Sequence, residues 1–243
     1  MKDITAIIVT FLRDKCLFRC ISSLRRTYPQ IKILVGDNGH LSLKKLNFVR
    51  RYKGEYYRLP FACGISYGRN FLLKKVKTLY FLVGDDDFYY TKSAGIEKMK
   101  KLLDIADIVG GRLKEGNEIR KYEIKWREED GGLVYEQVPE KHKYYKGVPY
   151  IESDMVFNYF VAPIDLGIEW DKNIKVAFEH SDFFLNCKKK KKKVICSVKS
   201  IVHHKKETFP EYEKYRYSFE DKEYFFKKWK YKFLKDVRGQ IIQ

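Results

Sequence analysis

No stretch of this sequence stays apolar for the roughly 18–20 residues that a membrane-spanning helix requires. No signal peptide is expected either: "MKDITAIIVTF" carries an acid and then a short β-branched run, which reads as a first strand. Cysteines are few and badly spaced for pairing. Cys16, Cys20, Cys63, Cys187 and Cys196 are an odd number with no CxxC pair, so neither a zinc site nor a disulfide framework is supported. Cys16 and Cys20, four apart in a helical pattern, suit a buried helix face instead. Internal repeats are absent, and the lysine run Lys188–Lys193 is the one low-complexity segment. Together these absences predict a cytoplasmic protein in a reducing setting.

What is present points to a globular chain. Hydrophobic residues make up 44% and aromatics 16% of 243 residues, enough for one large domain or two small ones. Fifty Lys and Arg against 32 Asp and Glu leave a formal charge of +18. That excess bears on partners rather than on fold: nucleic acid, anionic lipid headgroups and acidic glycans are all attracted to it.

Apolar runs alternate with helical patterns over the first hundred residues. "ITAIIVT" (4–10), "IKILVGDNG" (31–39), "EYYRLP" (55–60) and "TLYFLV" (78–83) read as strands. "RDKCLFRCISSLRRTYP" closed by Pro29, "LSLKKLNFVRRY" and the glycine-led "GISYGRNFLLKKV" read as helices between them. Such alternation predicts βαβ units and a mostly parallel sheet with ligands at the carboxyl ends of its strands, where Thr10, Asp37 and Asp85 fall. From about residue 107 the pattern changes. "ADIVGGRL", "EIRKYEIKW" and "GGLVYEQV" suggest antiparallel strands, and "SDMVFNYFVAPI" (153–164) suggests a further strong strand. A helix fits "AFEHSDFFLNCKK", a last strand fits "KVICSVKSIVHH", and the tail 206–243 is expected to be mostly helical.

The chemistry sits at the ends of these elements. "VGDDDF" sets Asp85, Asp86 and Asp87 directly after an apolar strand. Two carboxylates one residue apart can hold Mg²⁺ or Mn²⁺ while phosphate oxygens fill the rest of the shell. A solvated acidic turn is the plainer alternative, but three acids in a row need a counter-charge. Asp37 at a strand end can accept from a nucleotide or simply form an Asx-turn. In "GISYGRN", two glycines permit close backbone approach and Arg69 can pair with phosphate or orient an Asp. "EHSDFF" offers Glu179, His180 and Asp182 within one turn as general bases, although first-turn acids also favour a helix dipole. "VHHKK" brings His203 and His204 to the end of the last strand; they face opposite sides, so one of them enters a site, and an imidazole is a sound third ligand for Mn²⁺.

The order of these motifs along the chain resembles the GT-A glycosyltransferases, in particular the inverting family 2 enzymes. The nearest likeness is to the β1,4-N-acetylgalactosaminyltransferases, carried by "GISYGRNFLLKKVKTLYFLVGDDDF" and by "SDMVFNYFVAPIDLGIEWDKNIKVAFEHSDFFL" followed by "VICSVKSIVHH", and covering about residues 4–206. The resemblance implies a Rossmann-like α/β fold with helices on both faces of a mostly parallel central sheet and a small antiparallel acceptor-side sheet. It implies a domain over 1–205, with a nucleotide-sugar half (1–106) and an acceptor half (107–205), then a basic aromatic extension (206–243). Thr10, Asp37 and Arg69 would line the nucleotide pocket, with Asp85 and Asp86 against the donor. Asp85, Asp87 and His204 would hold Mn²⁺ or Mg²⁺. In much of the family the base motif is Glu-Asp, and here its second position is His180. Spacing therefore points to His180 while chemistry permits Glu179 or Asp182, and Asp182 and His180 are put first.

The implied reaction moves a hexose or N-acetylhexosamine from a UDP-sugar to a glycan, glycolipid or other hydroxyl acceptor with inversion. Trp126, Tyr135, Tyr159 and Phe160 are candidates for stacking on sugar, or for the core. The lysine run and the Lys-aromatic tail are either solvated and packed segments or a grip on an anionic acceptor or membrane surface. The family's animal members carry an anchor and stem that this sequence lacks, so Golgi residence is not expected. Two rivals remain from other classes. One is a nucleic-acid-binding protein, or an enzyme glycosylating DNA bases, drawing on the +18 charge. The other is a metal-dependent nucleotidyltransferase, which also uses paired aspartates.

Overall fold

The run Ile4–Thr10 is apolar apart from its threonines, so the strand it forms, β1, has no face to offer water and is buried on both sides. The computed structural model describes residues 1–207, 209–216 and 218–243. After β1 come α1 (Asp14–Thr27), β2 (Lys32–Asp37), α2 (Leu43–Arg51), β3 (Glu55–Arg58), α3 (Ile65–Leu73) and β4 (Tyr80–Asp85). Strands β3, β2, β1 and β4 lie parallel and adjacent. Their register sets Thr10 beside Asp37 and Val9 beside Asp85, so the polar strand ends share one edge.

The sheet continues through β5 (Phe88–Tyr89), α4 (Ile96–Leu102), β6 (Ile108–Glu115) and β7 (Glu118–Arg120). Next follow β8 (Ile124–Glu129), β9 (Gly132–Gln137), β10 (Lys143–Tyr145), β11 (Val148–Ser153) and β12 (Phe160–Pro163). The chain closes with α5 (Glu179–Lys189), β13 (Val194–His204), α6 (Pro210–Glu213), α7 (Phe219–Trp229), β14 (Leu234–Lys235) and β15 (Ile241–Ile242). Among the described residues the main sheet runs β10-β11-β13-β6-β12-β4-β1-β2-β3, with β5 on β13 and β7 on β6. A smaller sheet runs β15-β14-β9-β8.

Period-two alternation along the strands divides the core. Ile4, Ala6 and Ile8 join Leu17, Cys20, Val49 and Met99 beneath α1, α2 and α4. Ile7, Phe81 and Val83 join Leu72, Phe183 and Phe225 beneath α3, α5 and α7. Helices thus cover both faces, as an α/β sheet demands. Cys16 and Cys20 lie on the buried side of α1, as their spacing predicted.

A bulge in β13 is what delivers its histidines. Cys196 pairs with Gly110 and Ile201 with Arg112, so residues 197–200 stand opposite Gly111 alone. The Ser197 and Ser200 hydroxyls meet at 2.8 Å, and the Ser200 hydroxyl donates to the Gly95 carbonyl at 2.9 Å, pinning the bulge. A Cβ on Gly111 would come within 2.5 Å of the Ser200 carbonyl, so that close approach needs glycine. The bulge draws His203 level with Lys114 and His204 level with the end of β6.

Three sequence expectations change here. The strand predicted over 153–164 is broken: Ser153 ends β11, residues 154 and 155 leave the main sheet to bond the Ile124 backbone, and only 160–163 form β12. The stretch 107–138 is not uniformly antiparallel: β6 runs parallel to β13. The tail does not stay helical. Lys230 takes a left-handed conformation that ends α7, after which β14 pairs with β9 while the Phe233 ring covers Gly132.

The tail also braces the main body. Asp221, in the first turn of α7, accepts from the backbone N–H groups of Lys175, Val176 and Ala177 at 2.7–3.0 Å. Removing that acceptor with Asp221→Ala should lower stability by about 1–3 kcal/mol in urea unfolding, with the loop 175–177 becoming more protease-sensitive. Unchanged stability would mean that the brace is ornamental.

Candidate active site

Asp85 closes strand β4, and the turn that follows carries Asp86 and Asp87, so the three carboxylates leave in different directions. Asp86 points inward and is fully buried. Its Oδ2 accepts from the Thr10 hydroxyl at 2.6 Å, and its Oδ1 pairs with Arg13 Nη2. Asp87 Oδ2 takes Arg13 Nη1 at 2.8 Å and lies 3.3 Å from His204 Nε2. Asp85 accepts from Arg69 Nη2 at 3.1 Å. His204 reaches Asp87 because β13 pairs antiparallel with β5, His204 opposite Phe88.

Burial works against each of these charges, and the neighbours decide the outcome. For Asp86 burial wins over Arg13, pushing its carboxyl up to about 7. For Asp87 the His204 and Arg13 contacts outweigh burial and hold its carboxyl below the usual range. The His204 imidazole is correspondingly raised, since Asp87 and Glu115 outweigh its burial.

Arg69 links this cluster to α5. The helix α3 that carries it starts at Gly64, whose φ of 88° suits glycine and whose position against the Lys175 backbone leaves no room for a Cβ. From there the buried guanidinium lies over Trp170, bonds Asp85, and stands 3.6 Å from Glu179 Oε1. Phe178, left-handed at φ 63°, turns the chain into α5 so that Glu179 leads the helix. Burial raises the Glu179 carboxyl above its ordinary value, with Arg69 opposing.

These groups border one cleft of about 680 Å³. Thr10, Asp85, Asp87, Glu179 and His204 all line it, together with Arg13, Asn158 and the segment around α6. Tyr212 of α6 packs on the Arg13 guanidinium at 4.5 Å, and Tyr215 meets Phe11 edge-on at 5.2 Å.

The other residues singled out in the sequence lie elsewhere. Asp37 is buried, accepting from Tyr56 at 2.6 Å and Lys45 at 2.6 Å; its neighbour Asn38 reaches the cleft instead. His180 stands behind Asn158, its Nδ1 2.6 Å from Asn158 Oδ1, with Tyr122 and Phe184 around the ring. Asp182 is fully buried and holds α7: Oδ1 takes Trp229 Nε1 at 2.8 Å and Lys228 at 2.6 Å. Trp126, Tyr135, Tyr159 and Phe160 are core residues, and none of them lines the cleft.

Sequence reasoning missed Arg13, Glu115, Asn158 and Tyr212. Only Arg13 left a signal, as a cation just past the β1 end in a chain whose aspartates need one.

The cleft's donor set fits a hard divalent ion. Asp85, Asp87 and His204 face it, and Asp87 Oδ1 is buried without a hydrogen-bond partner. Among the described residues no three acidic, histidine or cysteine side chains close into a finished cage. An ion of this kind is commonly completed by substrate phosphates rather than by protein alone.

Comparison with known proteins adds the lineage. The family model described as glycosyl transferase family 2 matches residues 5–161. Beta-1,4 N-acetylgalactosaminyltransferase 1 of Mus musculus is 32% identical over 195 residues, 73% of this chain and 34% of that protein. Beta-1,4 N-acetylgalactosaminyltransferase 2 of the same species is 35% identical over 130 residues, 53% of this chain and 22% of that protein. The chain thus spans about a third or less of the length of these relatives. Among solved structures, GalNAc-T7 with UDP, GalNAc and Mn²⁺ aligns with a TM-score of 0.66 at 13% identity, covering 83% of this chain and 43% of that one. S. aureus TarS 1–349 aligns at 0.57 and 15%, covering 83% and 60%. These likenesses place the fold among the GT-A proteins, as the motif order implied.

His180 yields a pH test. Its residue surface is partly open, but the ring is enclosed, and burial lowers its imidazole to about 3. Between that value and the ordinary 6.5 the unfolded chain binds a proton that the folded chain refuses. Stability from this group is therefore full above pH 6.5 and is lost on acidification, by up to about 1.4 kcal/mol per pH unit. His180→Gln should flatten the unfolding free energy between pH 7 and 4 relative to wild type; parallel curves would show that the ring is not held neutral.

Proposed function

The chain belongs to glycosyl transferase family 2, and we propose that it transfers a hexose or N-acetylhexosamine from a UDP-sugar to a hydroxyl acceptor in a single inverting displacement assisted by Mn²⁺ or Mg²⁺. The observation that carries this reading is the line from Asp85 through the buried Arg69 to Glu179, whose two carboxylates border the cleft while Arg69 lies behind it. It joins a strand-end carboxylate suited to a cation-bound diphosphate to a raised carboxylate suited to a base.

The donor would lie over the carboxyl ends of β1, β2 and β4, where Thr10, Asn38 and Asp85 line the cleft. When bound, a divalent ion held by Asp85, Asp87 and His204 supplies charge neutralisation for the departing diphosphate. Glu179 takes the proton of the acceptor hydroxyl as that oxygen bonds the anomeric carbon. The bond from that carbon to the diphosphate oxygen breaks on the opposite face, and the centre inverts. Arg69 keeps the base carboxylate aimed, and Asn158 and residues 175–177 form the wall nearest the incoming acceptor. Of the three bases the sequence left open, Glu179 is preferred because it borders the cleft while His180 and Asp182 do not. A carboxyl raised by burial is also the better proton acceptor.

The acceptor is a glycan or glycolipid on this reading. The lysine run gives the nucleic-acid rival little support, since Lys188 bonds Asp154 at 2.7 Å, Lys190 bonds the Gly167 carbonyl at 2.6 Å and Lys192 reaches Asp107 at 3.5 Å.

The test is UDP release from a panel of UDP-sugars with Mn²⁺ and with chelator, on wild type, Glu179→Gln and Asp182→Asn. Glu179→Gln should lose kcat by about 10²–10⁴-fold, while Asp182→Asn should keep most of its kcat and lose stability. The reverse pattern in folded proteins would overturn the base assignment. Pyrophosphate in place of UDP among the products would make the protein a nucleotidyltransferase.

A further inference from the structure

We propose that Glu115 is a positioning residue that presents His204 Nε2 to the cation site, an inference that rests on the cation reading given above. Glu115 ends β6 and does not line the cleft, so it acts through another group if it acts at all. Its Oε1 accepts the His204 Nδ1–H at 2.5 Å. The opposite nitrogen of the same ring, Nε2, lies 3.3 Å from Asp87 Oδ2. The three groups form a line, carboxylate to imidazole to carboxylate, with the cleft beyond.

The chemistry of imidazole gives this line its meaning. A neutral ring carries one proton on either nitrogen, and only the bare nitrogen can bind a metal. A carboxylate on Nδ1 fixes the proton there, stops the ring from turning over, and increases the basicity of Nε2. His204 without Glu115 would divide its time between two tautomers and two ring faces, of which one combination suits the site.

The surrounding fold is built to keep Glu115 in place. Gly116, at φ 56°, turns the chain back into β7, where Glu118 pairs with Glu115 and Arg120 with Leu113. Arg120 Nη1 donates to the same Glu115 Oε1 at 3.0 Å. That second donor holds the oxygen on the histidine side. The β13 bulge supplies the other half of the match by bringing His204 to the level of β6. A hairpin and a bulge, separated by some eighty residues of sequence, thus converge on one hydrogen bond (the contact spans 89 residues).

The experiment measures Mn²⁺ binding in the presence of saturating UDP, from the loss of the free Mn²⁺ paramagnetic resonance signal, on wild type, Glu115→Ala, Glu115→Gln and Arg120→Ala. Thermal unfolding of each is recorded beside it. Glu115→Ala should bind Mn²⁺ roughly 10–100-fold more weakly, and excess Mn²⁺ should restore most of its kcat. Glu115→Gln keeps an acceptor oxygen and should recover a large part of the affinity; Arg120→Ala should show a smaller loss than Glu115→Ala. A Glu115→Ala protein with lowered Tm and unchanged Mn²⁺ affinity would overturn the proposal and leave the cation reading standing. Failure of wild type itself to take up Mn²⁺ with UDP would sink both. Should Glu115→Ala not fold, Arg120→Ala decides, because that side chain is half exposed; affinity equal to wild type there would overturn the proposal.

Discussion

Three carboxylates on consecutive residues repel one another, and withdrawing them from water raises the cost of each charge. Compensating that cost organises the sheet edge. Arg13 comes from the turn after β1, Thr10 from the end of β1, Arg69 from α3 and His204 from the end of β13. Thr10, Arg69 and His204 each meet one of the aspartates and Arg13 meets two, and Thr10 and His204 depend on the register of their strands. A shift of one residue in the register of β1 or β13 would send Thr10 or His204 to the other face of the sheet.

The last forty residues belong to the same construction. Asp221 caps three backbone N–H groups in the loop that walls the cleft, and Asp182 receives Trp229 and Lys228 from α7. Phe225 is buried and stacks on Phe178, the residue whose left-handed turn sets Glu179 at the head of α5. Helix α7 therefore fixes the candidate base from behind. In sequence Asp182 is a candidate base because it lies within one turn of Glu179, but its carboxylate is taken up by Trp229 and Lys228 of α7.

The parallel half of the fold was legible because its strands are continuous apolar runs and its helices are amphipathic, two periods that do not mimic each other. The carboxyl-end rule put Thr10, Asp37 and Asp85 at one edge, where they lie. Asp37, however, turns away to Tyr56 and Lys45 and does not line the cleft. Other parts depended on contacts that no local pattern carries. The segment 154–159 is as apolar as a strand, yet Met155 pairs with Ile124 and Tyr159 fills the space beside Gly111. Strands β14 and β15 are two residues long and exist only because β9 offers an edge. Glu115 lies in a charged hairpin that reads as a surface turn, and only the bulge in β13 reveals its partner.

The division of labour among the aspartates follows from the turn that carries Asp86 and Asp87 past the end of β4. Asp86 faces inward, where Thr10 and Arg13 hold it and where burial raises its carboxyl; its contacts are those of a structural group. Asp85 and Asp87 face the cleft, one steadied by Arg69 and the other by Arg13 and His204. Arg13 therefore serves two acids with different roles, a permanent partner to Asp86 and a cation already lodged beside Asp87. On the proposed cation reading, a divalent ion at Asp87 would meet a carboxylate whose Oδ2 is taken by Arg13 and whose buried Oδ1 has no hydrogen-bond partner. That oxygen would let the incoming charge bind without first displacing the guanidinium that keeps the strand end folded. On the proposed reading, Asp86 holds the turn down through Thr10 and Arg13 so that Asp85 and Asp87 face the cleft.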